Sequence, residues 1–229
     1  MVVERPSVIA FDVIETLFPL EPLGERLQQV GQPPELLRPW FTRLLRDGFA
    51  LSASGAYRPF AEIAVDTLRA LAGDALSAED AREVVTGFAG LEPHADVAEA
   101  MRVARDGGVR VITLTNGSAQ TTSTLLRRSG LDELVEQVVS VDAVRRWKPA
   151  PDPYRHAATA CGVAPERLAL VAAHNWDVHG AHRAGLLTGW VSRLERRWSE
   201  LFDQPDVTGP DLVNVVRGLL SLGDPGAAW

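Results

Sequence analysis

The stretch Val8-Ile9-Ala10-Phe11 is apolar at every position and runs directly into Asp12, with Thr16 and Leu17-Phe18 close behind. A run that is apolar throughout, not at alternate positions, reads as a strand buried on both faces. That condition is met in parallel sheets covered by helices on both sides. A carboxylate at the end of such a strand stands where open α/β sheets carry their chemistry.

The rest of the chain supports the same architecture. From Val97 onward, helical and strand patterns alternate: a helix over 98–104, a strand over 109–114, a helix over 118–128 and a strand over 138–140. A helix then follows Pro151, before a strand over 168–172, a helix over 178–184 and a strand over 188–191. Repeated βα units imply a parallel sheet, and the first strand belongs with it. Between them, 19–90 shows helical spacing of Leu27, Leu36-Leu37, Phe41, Leu44-Leu45, Phe60, Ile63, Leu68 and Leu71, interrupted at Pro33-Pro34, 52–57 and Gly73-Asp74. The expected fold is α/β: a doubly wound, mostly parallel, Rossmann-like sheet built from 1–18 and 92–229, with a helical cap over 19–91 inserted into it. No internal repeat or low-complexity tract is evident.

At 229 residues and 46% hydrophobic, the chain can bury a sizeable core. A formal charge of -7 gives no broad basic surface for nucleic acid, and no apolar stretch approaches a membrane-spanning length. Residues 1–6 lack the layout of a signal peptide, so a cytoplasmic location is expected. The single Cys161 has no internal partner and reads as a buried structural thiol. The expected partner is a small-molecule substrate, with no nucleic acid and no membrane. Homodimerisation is left open.

Three further stations follow Asp12: Thr115-Asn116-Gly117 after an apolar run, Lys148-Pro149, and Asp177 shortly after Leu168-Ala169-Leu170-Val171. Alone, Asp12 is equally a strand-end or helix-capping residue. Beside the Thr16 hydroxyl, the Asn116 amide and Lys148, it becomes a nucleophile able to attack an electrophilic carbon or phosphorus. An adjacent cation favours the charged form that a nucleophile requires. Asp177 has three readings: a helix cap, a partner for Lys148, or, together with Asp12, a magnesium ligand.

The segments Phe11-Asp12-Val13-Ile14-Glu15-Thr16-Leu17, Leu114-Thr115-Asn116-Gly117-Ser118, Ser140-Val141-Asp142 with Trp147-Lys148-Pro149, and Trp176-Asp177 with Gly180-Ala181 resemble the four motifs of the haloacid dehalogenase superfamily. Within it, the chain is most similar to the L-2-haloacid dehalogenase (type II) branch over nearly its whole length. The resemblance implies that Asp12 forms an aspartyl ester, Thr115 and Asn116 position substrate, Lys148 balances charge, and Asp177 orients Lys148 or the hydrolytic water. Tyr154 matches a tyrosine of that branch, and is equally a packing residue.

Residue 14 discriminates between chemistries. Superfamily phosphatases carry a second aspartate two residues after the nucleophile to protonate the leaving oxygen, whereas Ile14 cannot transfer a proton. Halide leaves without protonation, so this site suits dehalogenation. Other positions depart from the branch. Phe41 follows Trp40 where the branch has an arginine that binds substrate or halide, and Arg43 or Arg46 would have to replace it from another helical face. Ala172 and His174 stand in place of serine and asparagine, and Glu15 in place of glycine. His174 has two readings: a base that activates water near neutral pH, given an ordinary pKa of about 6.5, or a satisfied structural residue. His179 and His182 lack companions for a zinc site and read as surface positions.

The expected catalytic set is therefore Asp12, Lys148, Asp177 and His174, with Thr16, Thr115, Asn116, Phe41 and Tyr154 around the substrate. The expected reaction displaces a leaving group from a small 2-substituted carboxylic acid, as an (S)-2-haloacid dehalogenase does, without a cofactor. Two alternatives stand beside it. One is a magnesium-dependent phosphatase- or phosphonatase-like hydrolase using Asp12, Asp177 and the Ile14 carbonyl as ligands. The other is a protein of this fold that binds a metabolite or partner without turnover.

Overall fold

The computed structural model describes residues 4–195 and 197–223. In chain order they form β1 (Val8–Phe11), α1 (Leu23–Gln29), α2 (Leu37–Ala53), α3 (Phe60–Ala72), α4 (Ala78–Thr86), α5 (Val97–Asp106), β2 (Arg110–Thr115), α6 (Ala119–Arg128) and β3 (Gln137–Ser140). There follow α7 (Pro151–Cys161), β4 (Leu168–Ala172), α8 (Asn175–Arg183), β5 (Leu187–Val191), β6 (Val207–Gly209) and α9 (Leu212–Leu220). One sheet in the order β3-β2-β1-β4-β5-β6 collects all six strands, and every pairing is parallel.

The apolar runs sort by parity onto the two faces, as a doubly covered sheet requires. Ile9, Phe11, Val111, Ala169 and Val171 pack into one hydrophobic cluster with residues of α5, α6 and α9. Val8, Ala10, Ile112, Leu114, Leu168 and Leu170 pack into a second cluster with residues of α7 and α8. The chain leaves β1 towards β2 and β3 on one side and returns to β4 on the other. The carboxyl ends of β1, β2 and β4 therefore meet at the crevice where the winding reverses.

Two elements were absent from the sequence-based expectation, the edge strand β6 and the helix α9. Strand β6 is only three residues long and partly exposed, so it leaves little hydrophobic pattern. Helix α9 carries Asp211 as its N-cap, the carboxylate accepting the Asn214 N–H at 2.8 Å. The fourth station also begins earlier than expected: α8 starts at Asn175, not near residue 178. Asp177 thus lies inside the first turn of α8, and His174 occupies the N-cap position. Cys161 is a free, buried thiol at the end of α7.

Helices α1 to α4 lie between β1 and β2 in sequence and pack over the crevice. Their apolar residues, including Trp40, Leu44, Ala64 and Leu68, join the same cluster as Ile9 and Phe11, so the interior is continuous across the boundary. Where the chain leaves and re-enters the sheet region, the two crossings are tied together by the His94 N–H donating to the Leu17 carbonyl at 2.9 Å. The loop carrying Trp147-Lys148 is gripped from the insertion. The Trp147 backbone N–H donates to Ser52 Oγ at 2.8 Å, its indole N–H donates to the Arg58 carbonyl at 3.0 Å, and its ring stacks on Phe60. Gly48 makes this possible, since a Cβ there would lie 2.5 Å from the Trp147 ring. No helix among the described residues is long and apolar enough to cross a membrane.

Candidate active site

Asp12 emerges from β1 into a nearly closed polar environment, with only 6% of its surface exposed. Its Oδ1 accepts from Lys148 Nζ at 2.8 Å, and its Oδ2 accepts from Thr16 Oγ1 at 2.7 Å. Thr16 Oγ1 in turn accepts the Ala173 N–H at 3.0 Å, so the hydroxyl has one orientation and points its proton at Asp12. Lys148 is fully buried and satisfies its three donors on Asp12, Asp177 Oδ2 (2.6 Å) and the Leu114 carbonyl (2.9 Å). The loop that delivers Lys148 is registered by its own backbone N–H, which donates to Asn116 Oδ1 at 2.9 Å. Behind Asp177, Tyr154 Oη donates to Oδ1 at 2.6 Å. Gly180 allows this close approach, because a Cβ there would fall 2.7 Å from Tyr154 Oη.

Two carboxylates thus share one ammonium, and their surroundings push them apart. Burial acts to raise the Asp12 pKa, but Lys148 and His174 outweigh it and hold the carboxyl well below the ordinary carboxylate range. Burial pushes the Asp177 carboxyl up despite the pull of Lys148, with Asp12 adding to the push. Burial alone would lower the Lys148 pKa, yet the two carboxylates raise it, so the ammonium stays charged. The N-terminus of α8 lies at the same end of the sheet and adds positive potential there.

On the other side of Asp12 the site is open and joined to the helical insertion. His174 is buried, with Nε2 bonded to Glu15 Oε2 at 2.9 Å and Nδ1 lying 3.5 Å from Asp12 Oδ2. The Nδ1 atom has no hydrogen-bond partner. Burial would lower the His174 pKa, but the neighbouring carboxylates of Asp12 and Glu15 raise it from 6.5 to about 9. In the free site the ring is therefore an imidazolium at neutral pH, not the neutral base that its ordinary pKa suggested. Glu15 holds its place at a φ of 66°, a left-handed conformation that glycine adopts readily and glutamate does not. Its other oxygen accepts from Arg38 of α2, which also reaches Glu21.

The sequence-predicted residues divide on this geometry. Asp12, Thr16, Lys148, Asp177, Tyr154 and His174 form one connected set. Within it, Thr16 and Tyr154 are fully buried and contact carboxylates, so they support Asp12 and Asp177 and do not line open space, contrary to their expected place around the substrate. Thr115 lines a small apolar pocket of about 80 Å³ with Ile14, Phe60, Phe88 and Leu125. Phe41 lines a larger open cleft with Glu15, Arg38, His174 and Trp176. Asp12 adjoins the open cleft through His174, whose Nδ1 lies 3.5 Å from Asp12 Oδ2. Arg46 borders the open cleft, but pairs with Asp47 and is largely exposed. The insertion's cation at the site is Arg38, which reasoning from the sequence passed over. Glu15 was noted only as a departure from glycine, and its pairing with His174, 159 residues away, left no local signal. His182 is exposed, whereas His179 is partly buried beside Asp203 and Phe202.

Comparison with known proteins gives a consistent answer. The family model described as haloacid dehalogenase-like hydrolase matches residues 7–185. The haloacetate dehalogenase H-2 of Moraxella sp. (strain B) is 27% identical over 219 residues, covering 93% of this chain and 98% of that protein. The (S)-2-haloacid dehalogenase of Pseudomonas sp. (strain YL) is 27% identical over 203 residues, covering 86% and 88%. Among solved structures, the L-2-haloacid dehalogenase RSc1362 superposes with a TM-score of 0.87 at 27% identity, covering 94% of this chain and 99% of that one. With the motif-bearing loops gathered at one crevice of the same fold, the chain belongs to the haloacid dehalogenase-like hydrolases.

Proposed function

We propose that this hydrolase displaces a leaving group, halide above all, from C2 of a small 2-substituted carboxylic acid through an ester on Asp12. The observation that carries the reading is the asymmetry of the two carboxylates on Lys148. Asp12 is held ionised and oriented by Lys148 and Thr16, while Asp177 is pushed the other way. Environments that drive paired carboxylates apart assign them different roles. Asp12 attacks carbon, the carbon–halogen bond breaks with its electron pair on the halide, and the ester that results is hydrolysed to a hydroxy acid.

In this reading Lys148 balances charge, and Asp177, backed by Tyr154, fixes Lys148. Thr115 and Asn116 receive the substrate carboxylate, and the apolar pocket of Ile14, Phe60 and Leu125 takes the short alkyl group. The Asn116 carbonyl is committed to the Lys148 backbone, which leaves its amide N–H group for substrate. Residues 19–91 act as a cap over the core formed by 1–18 and 92–229. The names of the relatives, which are dehalogenases of haloacetate and 2-haloacids, support this substrate class.

The magnesium reading fits the residues less well. A cation between Asp12 and Asp177 would have to occupy the place of Lys148 Nζ, which bonds both, while the remaining Asp177 oxygen is taken by Tyr154. The test is halide release from 2-chloropropionate and related 2-haloacids, with and without magnesium, for the wild type and Asp12→Asn. We expect metal-independent release that falls by at least about 10³-fold in the variant. Absence of release from every haloacid would overturn the reading.

A further inference from the structure

Asp142 belongs to the third of the motif segments, yet neither the displacement nor the seating of Lys148 gives it a part. It lies in the short turn Val141–Ala143 that follows β3. Its backbone N–H donates to Ser140 Oγ at 3.1 Å, and that hydroxyl donates to the Gly117 carbonyl at 2.7 Å, so the turn is tied to the loop of Thr115 and Asn116. The side chain is held from the other direction. Tyr57, in the connection between α2 and α3, donates its hydroxyl to Asp142 Oδ1. Burial, together with Asp142, pushes the Tyr57 phenol well above its ordinary pKa, so it keeps the proton that it donates. The Arg145 guanidinium lies 5.0 Å from the centre of the Tyr57 ring and braces it.

This carboxylate is held at the small apolar pocket. Asp142 lines that pocket with Ile14, Phe60, Phe88 and Leu125, and among the described residues it is the one charged group on the lining. Its hydrogen-bond partner is a neutral phenol and not a cation, so its negative charge is kept. A negative side chain opposes the binding of an anionic substrate unless it decides which way that substrate lies. Repulsion of this kind is how a site rejects a wrong ligand that attraction alone would accept.

We propose that Asp142, held by Tyr57, is a specificity-determining residue that restricts this site to monocarboxylic 2-haloacids by repelling a second carboxylate on the C2 substituent. This inference rests on the reading above, in which the C2 alkyl group enters this pocket and the substrate carboxylate meets Thr115 and Asn116. The methyl group of 2-chloropropionate meets no charge penalty there. The carboxymethyl arm of 2-chlorosuccinate brings a second negative charge against Asp142. The same repulsion fixes the orientation of a monocarboxylate, because a reversed substrate would carry its own carboxylate into the pocket. Asp142 is exposed, so water and salt weaken the repulsion, and the discrimination expected is about tenfold, not several orders of magnitude.

The test measures kcat/KM for halide release from 2-chloropropionate and from 2-chlorosuccinate in the wild type, Asp142→Asn and Tyr57→Phe. The ratio of the two values cancels any loss common to both substrates, including a less stable fold. In Asp142→Asn the preference for the monoacid should fall by about tenfold, chiefly through a lower KM for the diacid. Tyr57→Phe frees the carboxylate to turn into water and should lower the preference part of the way. Raising the ionic strength from about 0.02 M to about 0.5 M should bring the wild-type ratio towards that of Asp142→Asn, whose own ratio should move less. An unchanged ratio in Asp142→Asn, or a wild-type ratio indifferent to salt, would overturn the proposal. A wild type that releases halide from neither substrate would instead sink the displacement reading. In that case calorimetric binding of the corresponding hydroxy acids, lactate and malate, still decides the role of Asp142. Asp142→Asn should gain about tenfold in affinity for malate relative to lactate, and an unchanged relative affinity, or binding of neither acid, would overturn it.

Discussion

Asp12 has two sides that are built on different plans. On one, Lys148, Asp177 and Tyr154 are fully buried, and their side-chain donors are paired. On the other, Glu15 and His174 border an open cleft, lean on an arginine of the insertion, and leave one ring nitrogen unpaired. The closed side fixes one charge state, since breaking any of its contacts would strand a buried charge. The open side carries a group whose charge depends on that of Asp12, so it can respond to each step of a reaction.

The contrast can be broken from the closed side first, where the largest effect is expected. Lys148→Met removes the ammonium that bonds both Asp12 and Asp177, leaving buried Asp177 without its cation and Asp12 with His174 as its remaining cationic neighbour among the described residues. We expect a loss of about 3–5 kcal/mol in denaturant unfolding, or failure to fold at neutral pH. A change below about 1 kcal/mol would mean that the closed network is not what holds these loops.

On the open side the expected signature is pH dependence. Because the His174 pKa is raised from 6.5 to about 9, its stabilising contribution is complete below pH 6.5 and disappears as pH rises through about 9. Unfolding free energies across that window should fall by about 1–3 kcal/mol in the wild type, and the slope should flatten in His174→Asn. Equal slopes would show that the imidazolium does not draw stability from Asp12 and Glu15.

The smallest effect belongs to the contact with the insertion. The Arg38 side chain is 54% exposed, so Arg38→Gln should cost at most about 1 kcal/mol in stability. If Arg38 helps to seat Glu15, the variant should also show a few-fold slower ester hydrolysis with unchanged first-turnover halide release. Equal effects on both steps would point to general loosening of the insertion.

The closed side was also the legible one. Asp12, Lys148 and Asp177 each follow an apolar run or sit in a motif, because a strand end and a βα loop impose a local pattern on the chain. The sheet was legible for the same reason: strands buried on both faces are apolar throughout. Where local pattern is weak, reading failed. The partly exposed strand β6 was missed, and the start of α8 was placed three residues late because Asn175-Trp176-Asp177 is not an apolar helical pattern. Glu15 and Arg38 act through contacts 159 and 23 residues distant in sequence, which no spacing rule encodes. The protonation of His174 depends on two carboxylates whose proximity only the fold creates.

The most direct measurement of the central claim is a single turnover of 2-chloropropionate in ¹⁸O-enriched water with enzyme in excess. If an ester on Asp12 is hydrolysed at its carbonyl carbon, the heavy oxygen enters the Asp12 carboxylate, and the first hydroxy acid released carries the unlabelled oxygen of Asp12. Heavy oxygen found directly in the first product, with none on Asp12, would contradict nucleophilic attack by Asp12.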